Sequence, residues 1–406
     1  MRFAAVAVLV GALLPASAQA AAPGPTKSDD ITITLARPTG PFPTGTTLVH
    51  LRDANRVDPL DPQGRNREVM AQLWYPASPA PDRPLAAYAP PGETAVQDAN
   101  TPDPVPTGAF AAITHSRLRA PVRPGRHKVV FFHHGICGYR TDTTAVNEQL
   151  ASLGFVVVAL ANTHESPAVE FPGGRLETTS DPSFCATGAD PFSPTNQAIL
   201  QRLLDVRVAD IRFVLNQLDR INRGTNPDAS GVPLPRGLAR SMDTSRVGVF
   251  GHSFGGGTAA AVMHADRRFV AGVNLDGLVV GPVRQAGVDR PFLVLGSSYH
   301  EPAQDESWAD FLPALTGWHR WLRVNDAGHY RFIDFGGSVR KWGLEGAVDP
   351  ETWRTVFGDI GDRPSQKILI DLTSAFFERF LLGRPAPILN HPSAFYPQIE
   401  DRTPLI

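Results

Sequence analysis

Apolar residues along the chain follow two alternating patterns, which predict strands and helices in turn. The continuous apolar runs "HKVVFFHH" and "FVVVALAN" have the length and composition of buried parallel strands. Between them, "TDTTAVNEQLASLG" has helical spacing, and a longer amphipathic stretch runs from about Asn196 to Asn222. Such alternation is typical of right-handed crossover connections. The pattern therefore predicts an α/β fold with a mostly parallel central sheet and helices on both faces.

The first part of the chain has a different pattern. "ITITLA", "TTLVHL" and "VMAQLWYP" look like strands joined by short links, which predicts an antiparallel start to the sheet. Ten of the 38 prolines then fall between Pro79 and Pro124, so an ordered but largely irregular Pro-rich insertion is expected at about residues 78–126. We predict that residues 21–406 form a single α/β domain that contains this insertion.

The N-terminus has the composition of a secretory signal. Residues 1–20 carry Arg2, an apolar run and the small residues Ala18-Gln19-Ala20, which fit a signal peptide with an Ala-x-Ala cleavage site. The apolar run is shorter than the ~20 residues that span a bilayer. The sequence therefore predicts a secreted or periplasmic protein.

Charge and cysteine content narrow the classes of partner. The formal net charge of −2 gives no basic footprint for nucleic acid and no polybasic patch for anionic membranes, so no nucleic-acid partner is expected. Cys137 and Cys185 are the two cysteines, and in an oxidising compartment they are candidates for a disulfide, with two separate buried thiols as the alternative. Oligomeric state leaves no signal in the sequence.

A serine stands in a glycine cluster directly after one of the predicted strands. The motif is Gly-x-Ser-x-Gly around Ser253, between the strand "RVGVF" and a small-residue helix that starts near Gly255. A serine on a tight strand-to-helix turn projects its hydroxyl above the sheet, and the glycines let the helix approach. A phosphate-binding loop is the alternative, but the P-loop lysine and the dinucleotide-binding glycine pattern are both missing. We therefore predict that Ser253 is a nucleophile.

A serine nucleophile needs a base, which in this kind of fold follows the serine and the acid along the chain. His329, in "VNDAGHYRF", falls in the loop after the last apolar strand, where the base belongs. His300 is the second candidate. We predict His329.

The acid that orients the base has two candidate positions. Asp276 closes the strand "FVAGVNLD", whereas Glu301 and Asp305 follow the next strand, which is the commoner place for the acid. A solvated loop and a helix N-terminus explain Glu301 and Asp305 without catalysis. The residues alone favour Asp276.

The loop after "VVFFHH" is the candidate oxyanion hole. A backbone N–H from Ile136 or Cys137 is expected there, and the N–H of Phe254 at the helix N-terminus would point at the same place. His133 and His134 are adjacent, but neighbouring strand residues point to opposite faces and a third ligand at usable spacing is missing. We therefore predict no metal site and no cofactor.

Together these motifs resemble a known family. "QLWYP", "VVFFHHGICGYR", "GHSFGG", "NLDG" and the final "GHY" are similar to the platelet-activating-factor acetylhydrolases of the plasma and isoform II type, α/β-hydrolases that also occur as bacterial secreted esterases. The resemblance runs in order over about residues 67–385. It implies an α/β-hydrolase fold in which Ser253 is the nucleophile, Asp276 the orienting acid and His329 the base. It further implies that the N–H groups of Ile136 and Phe254 form the oxyanion hole.

The resemblance also implies a substrate class. In that family short or oxidised acyl groups are hydrolysed from phospholipids, so we expect a small-molecule ester or phospholipid substrate and transient contact with a lipid surface. "TGAFAAITHSRLRA", with Phe110, Ile113 and Leu118, is one candidate for that contact, and packing on the sheet is its alternative. A lipase or polyester hydrolase, a serine peptidase and a non-catalytic binding protein on a hydrolase scaffold are the competing hypotheses.

Overall fold

The apolar runs of the sequence form the central strands of a large mixed sheet. The computed structural model describes residues 31–101 and 103–403, so the predicted signal peptide lies outside the described residues. Over these residues the strands are β1 (Thr44–Val57), β2 (Asn66–Pro76), β3 (Leu85–Ala87), β4 (Ile113–Leu118), β5 (His127–His133), β6 (Val156–Ala161), β7 (Val169–Phe171), β8 (Arg175–Glu177), β9 (Met242–His252), β10 (Phe269–Leu275), β11 (Phe292–Gly296), β12 (His319–Val324) and β13 (Ile399–Asp401).

Helices connect most of these strands. In the same residues they are α1 (Pro91–Asn100), α2 (Thr144–Leu153), α3 (Ser183–Ala186), α4 (Pro194–Asn222), α5 (Phe254–Ala265), α6 (Val283–Ala286), α7 (Glu306–Phe311), α8 (Pro350–Val356), α9 (Asp362–Leu382) and α10 (Pro392–Phe395). The longest, α4, coincides closely with the amphipathic stretch from about Asn196 to Asn222 that the sequence indicates.

The sheet has a parallel centre with antiparallel margins. Among the described residues it contains 11 strands in the order β13-β12-β11-β10-β9-β5-β6-β2-β1-β4-β3, while β7 and β8 form a separate hairpin. Within the run β12-β11-β10-β9-β5-β6 of that order, neighbouring strands are parallel to each other. β1 and β2 are antiparallel to each other, and β2 is antiparallel to β6. This arrangement confirms the predicted mostly parallel sheet with an antiparallel N-terminal start.

Both faces of the sheet are covered, which explains why its central strands contain continuous apolar runs. On β5, Phe131 packs into a cluster with residues of α4 and α5, whereas Phe132 packs into a second cluster with residues of α2 and α9. Neither side chain is accessible to solvent. Successive strand residues point to opposite faces, so each central strand contributes to two cores at once.

The segment "ITITLA" was expected to be a strand, and that expectation is wrong. Residues 31–36 are extended but pair with no strand in the described part of the chain. The Ile33 N–H instead donates to the Ala109 carbonyl at 2.7 Å, and the Thr34 N–H donates to the Ser338 Oγ at 2.9 Å. An alternating pattern of apolar and polar residues indicates which side chains are buried, but it does not identify the groups to which the backbone forms hydrogen bonds.

The Pro-rich insertion is more regular than its composition suggests. It contains α1 and the short strands β3 and β4, and β4 extends the sheet by pairing in parallel with β1. Phe110 is buried against Phe335 and Trp342, so it is not available to a lipid surface. Ile113 is 59% exposed and Leu118 is 39% exposed. The candidate lipid-facing stretch therefore divides into a buried and an exposed part.

A disulfide joins Cys137 and Cys185, which confirms the candidate pairing. It ties the loop after β5 to α3, and the Cα atoms lie 5.5 Å apart, a normal separation for a disulfide. None of the helices in the described residues is long and apolar enough to cross a membrane.

Loss of this bond should weaken the fold. The two cysteines are 48 residues apart, so the bond restricts a long segment of the unfolded chain, and Cys185→Ser is expected to lower the free energy of unfolding by about 2–4 kcal/mol. Denaturant unfolding with and without reductant measures the effect. Cys137→Ser is the matched variant and should lose the same amount. Equal midpoints for the oxidised, reduced and substituted proteins would contradict this expectation.

Candidate active site

Ser253 occupies a tight turn between a central strand and a helix. β9 ends at His252 and α5 begins at Phe254, so Ser253 is the single residue between them. Its φ of 56° lies in the left-handed region, which costs energy for a residue with a side chain. The side chain remains partly open to solvent. The backbone therefore presents the hydroxyl above the carboxyl end of the sheet, as the motif predicts.

Two glycines permit the close packing behind this turn. A Cβ at Gly251 would lie 2.2 Å from the Gly255 carbonyl oxygen, and a Cβ at Gly255 would lie 2.0 Å from the His133 carbonyl oxygen. A side chain at either position would overlap backbone atoms that cannot move aside. The glycines of the motif therefore bring the start of α5 against the end of β5.

Asp276 lies beside Ser253 because their strands are neighbours in the sheet. The Ser253 N–H donates to the Leu275 carbonyl at 2.8 Å, and Asp276 is the next residue along the chain. The Asp276 carboxylate is almost completely buried. Its Oδ1 accepts the Ser297 N–H at 2.6 Å, and its Oδ2 accepts the Nδ1–H of His329 at 2.7 Å. Asp276 thus orients the histidine that the sequence indicates.

His329 lies in the loop after β12 and is held at both its ring and its backbone. The His329 carbonyl accepts the Nε2–H of His252 at 3.0 Å, and the two rings are 4.5 Å apart. Burial lowers the pKa of His252 to about 3, with a contribution from the neighbouring His329, so His252 is a neutral donor. The His329 side chain is 17% exposed. Ser253 and His329 therefore reach solvent while Asp276 is shielded.

His300 contacts the other oxygen of the same carboxylate. Its Nδ1–H donates to the Asp276 Oδ1 at 3.2 Å and its Nε2–H donates to the Asp305 Oδ2 at 2.5 Å. The ring stacks on Trp308 with centroids 3.8 Å apart. Both ring nitrogens donate, so His300 is an imidazolium between two carboxylates. It was the second candidate for the base, and the structure places it behind the acid instead.

The charges in this network support one another. Burial disfavours the imidazolium, but Asp276 and Asp305 outweigh burial and raise the pKa of His300 to about 10. Burial also disfavours the Asp276 carboxylate, but the charge of His300 and the hydrogen bonds from His300 and His329 hold the pKa of Asp276 far below its usual value. Asp276 is therefore ionised at neutral pH.

The two alternative acids have other partners. Glu301 pairs with Arg323 at 2.7 Å and with Arg402 at 3.2 Å. Asp305 accepts from His300 and from the Ser307 N–H at the start of α7. In the structure Asp276 contacts His329 directly, and Asp305 reaches it only through His300 and Asp276.

The candidate oxyanion loop lies against Ser253. A Cβ added at Gly135 would be 3.1 Å from the Ser253 Cβ, so the backbone that leads into Ile136 passes close to the serine. Phe254 is the first residue of α5, where a backbone N–H has no partner within the helix. Cys137 has a φ of 48°, and its disulfide fixes the far end of the loop. An oxyanion hole formed by the N–H groups of Ile136 and Phe254 stays a prediction that this position of the loop permits.

The adjacent histidines are held by contacts with other protein groups. His134 Nδ1–H donates to the Gly135 carbonyl at 2.6 Å, and its Nε2 accepts from the Ser166 hydroxyl at 3.1 Å. His133 Nδ1 lies 3.3 Å from a guanidinium nitrogen of Arg207. In residues 31–101 and 103–403 there is no group of three or more metal-ligating side chains that could hold an ion.

Sequence reasoning missed two residues that contact the site. His300 was considered only as a base, and its partnership with Asp276 depends on how the loop after β11 folds back. Arg207 was not considered, although the sequence holds a signal for it. Arg207 falls on the same face of α4 as Leu203, Ile211 and Val214, where only apolar residues are expected. A charge on the buried face of an amphipathic helix indicates a buried partner.

The fold and the site together define a class of protein. A serine on the turn between a central strand and a helix, with an acid and a histidine after later strands of a mostly parallel sheet, defines the α/β-hydrolase fold. A solved structure titled ferulic acid esterase from Streptomyces cinnamoneus has the same fold with a TM-score of 0.75. It is 34% identical and covers 90% of this chain and 98% of its own.

The family follows from the sequence comparisons. The model of the platelet-activating factor acetylhydrolase, isoform II, family matches residues 106–352, and the chain belongs to that family. A probable 1-alkyl-2-acetylglycerophosphocholine esterase of Arthroderma benhamiae is 26% identical over 67% of this chain, and a platelet-activating factor acetylhydrolase of Cavia porcellus is 25% identical over 58%. The alignments span 65% and 56% of these relatives' own lengths.

The charge on His300 should affect the pH dependence of any reaction that needs neutral His329. Replacing His300 by Asn removes a positive charge next to Asp276, so the negative field at His329 becomes stronger and favours its protonated form. The acid limb of the kcat/KM profile should therefore move to higher pH, by roughly half a unit or more. Asp305→Asn removes a negative charge and should move the limb slightly to lower pH. Unchanged limbs in both variants would show that the network does not reach His329.

Proposed function

We propose that the chain is a secreted serine carboxylic-ester hydrolase that acts through an acyl-enzyme on short-acyl esters, including phospholipids similar to platelet-activating factor. The observation that carries this proposal is the 2.7 Å hydrogen bond from His329 to the buried Asp276, on the strand next to the Ser253 turn. Nucleophile, base and orienting acid are the groups that acyl transfer needs. The names of the relatives support the same class of reaction.

In the proposed reaction, His329 acts as the general base for Ser253. Asp276 accepts the Nδ1–H of His329, so the neutral ring exposes its Nε2 lone pair to the serine hydroxyl. Ser253 Oγ attacks the ester carbonyl while its proton passes to Nε2. The imidazolium that forms is stabilised by Asp276 and then donates this proton to the leaving alcohol.

The oxyanion would be held by the N–H groups of Ile136 and Phe254. The α5 N-terminus adds a favourable dipole at the same point, because Phe254 is its first residue. Deleting one such donor typically slows an enzyme by about 10²–10³-fold. Water activated by His329 then hydrolyses the acyl-enzyme and regenerates Ser253.

Secretion and the lipid substrate rest on separate support. The apolar N-terminal segment and the Cys137–Cys185 disulfide both suit an oxidising compartment outside the cytoplasm. The relatives named for platelet-activating factor support an acetyl phospholipid substrate. Transient contact with a lipid surface would use the exposed Ile113 and Leu118.

A second substrate class has specific support. The neighbour titled ferulic acid esterase is matched over 98% of its length and at higher identity than the two phospholipid-named relatives. Esters of hydroxycinnamic acids carry a rigid aromatic acyl group, and the catalytic groups described above would process them by the same steps. The two classes differ in the space that they need around the acyl group.

Ser253→Ala should abolish ester hydrolysis while the protein stays folded. Loss of the attacking oxygen is expected to reduce kcat by roughly 10⁴–10⁶-fold. Steady-state kinetics on a soluble acetate ester measures the loss, and thermal unfolding checks the fold. Ser245→Ala is the control, because Ser245 is exposed at the opposite end of the same strand. Full activity in Ser253→Ala would overturn the proposed function.

The substrate class is decided by comparing four esters. Two phosphatidylcholines that differ only in an acetyl or a long acyl group at the second position are assayed beside a soluble acetate ester and methyl ferulate. Fast release from the acetyl lipid over the long-chain lipid is the expected result. A preference for methyl ferulate would replace phospholipid by hydroxycinnamate esters, and activity on the soluble acetate alone would leave a general esterase.

A further inference from the structure

A buried arginine contacts the candidate oxyanion loop from the side opposite to solvent. Arg207, in the middle of α4, is inaccessible to solvent. Its Nη1 donates to the His134 carbonyl at 2.7 Å and its Nη2 donates to the Gly135 carbonyl at 2.9 Å. The Glu165 carboxylate, also buried, accepts from Arg207 Nε at 3.0 Å and from Nη2. One guanidinium thus binds two successive loop carbonyls while a carboxylate holds it in place.

The contact with the Gly135 carbonyl determines where the next N–H points. In a planar trans peptide the C=O of one residue and the N–H of the following residue point in opposite directions. The Gly135 carbonyl accepts from Arg207, from the Nδ1–H of His134 and, at 3.2 Å, from the Gly138 N–H, so three donors fix the orientation of this peptide. The Ile136 N–H must then point away from Arg207. Ser253 lies against the same loop at Gly135.

The same guanidinium also contacts the residue that carries the second N–H. The Arg207 Cζ lies 4.6 Å from the centroid of the Phe254 ring, which is a cation–π contact. A single buried group therefore touches the Gly135–Ile136 peptide and the first residue of α5. Arg207 therefore lies between the two segments that carry the candidate donors.

We propose that Arg207, clamped by Glu165, is a positioning residue that orients the Ile136 N–H and sets its spacing from the Phe254 N–H. The proposal rests on the proposed function, because it concerns the stabilisation of an oxyanion at Ser253. A buried ion pair is costly to desolvate and adds little to stability. The planar guanidinium of Arg207, which donates in two directions, is well suited to hold two carbonyls in one orientation.

The chain offers a matched control for a purely structural role. Arg67 is equally buried and pairs with Asp58 at 2.8 Å and with Asp210 of α4 at 2.7 Å. Its backbone contact is the Thr163 carbonyl at 2.7 Å, in the segment after β6. Arg67→Lys therefore perturbs a buried arginine–carboxylate cluster that joins β2 to the same helix through Asp210, without a direct contact to the oxyanion loop.

The experiment compares an ester with its thionoester, in which sulfur replaces the carbonyl oxygen. Sulfur is a weak hydrogen-bond acceptor, so a thionoester gains little from well-placed N–H donors. Arg207→Lys keeps the positive charge but loses the simultaneous hydrogen bonds to the His134 and Gly135 carbonyls. Its kcat on the ester should fall roughly 10–100-fold with KM nearly unchanged, while the thionoester rate falls much less. Arg67→Lys should leave the ester-to-thionoester ratio at the wild-type value.

Glu165→Gln provides a second variant if Arg207→Lys does not fold. It weakens the clamp and keeps the arginine, so a smaller loss with the same selectivity for the ester is expected. Equal losses on ester and thionoester in the folded variants would overturn the positioning role while leaving the esterase assignment intact. A wild-type protein without activity on any ester would instead overturn the proposed function itself.

Discussion

The site depends on a series of backbone hydrogen bonds that join the turns after β9, β10 and β11 to the neighbouring segment at the carboxyl edge of the sheet. The Ser253 N–H donates to the Leu275 carbonyl, and the Asp276 N–H donates to the Leu295 carbonyl, both at 2.8 Å. The Ser298 N–H then donates to the Ala327 carbonyl at 2.9 Å, two residues before His329. The first two turns are thereby fixed to the next strand of the sheet, and the turn after β11 is fixed to the loop after β12. Serine, acid and histidine come from distant parts of the chain, yet a common register brings them to the same edge.

Two clusters of buried charged side chains lie near this edge of the sheet, and each orients a neighbouring group. His300 lies between Asp276 and Asp305, and Arg207 lies between Glu165 and two loop carbonyls. Removing one member of such a cluster leaves an unpaired buried charge, which typically costs about 3–5 kcal/mol. We therefore expect the clusters to contribute to the geometry of the site more than to the stability of the fold. One cluster acts on the acid, and the other acts on the loop that faces the serine.

The sequence predicts the parts of the structure that depend on local patterns. The parallel strands follow from uninterrupted apolar runs, and the Ser253 turn follows from a strand, two glycines and a small-residue helix in succession. Residues 31–36 show the limit of periodicity, because burial of alternate side chains does not reveal a partner for the backbone. Phe110 could not be placed either, since the aromatic residues that cover it lie more than 200 positions later in the chain. The contacts of His300 and Arg207 with the site were also missed, because loop conformations and helix packing determine their partners.

Covalent labelling tests most directly whether Ser253 is an activated nucleophile. The intact protein is treated with a fluorophosphonate, and mass spectrometry locates the modified residue and measures its stoichiometry. One phosphonyl group per chain is expected on Ser253, with little labelling when His329 is replaced by Gln. Stoichiometric labelling at another residue, or labelling of Ser253 that does not depend on His329, would contradict it.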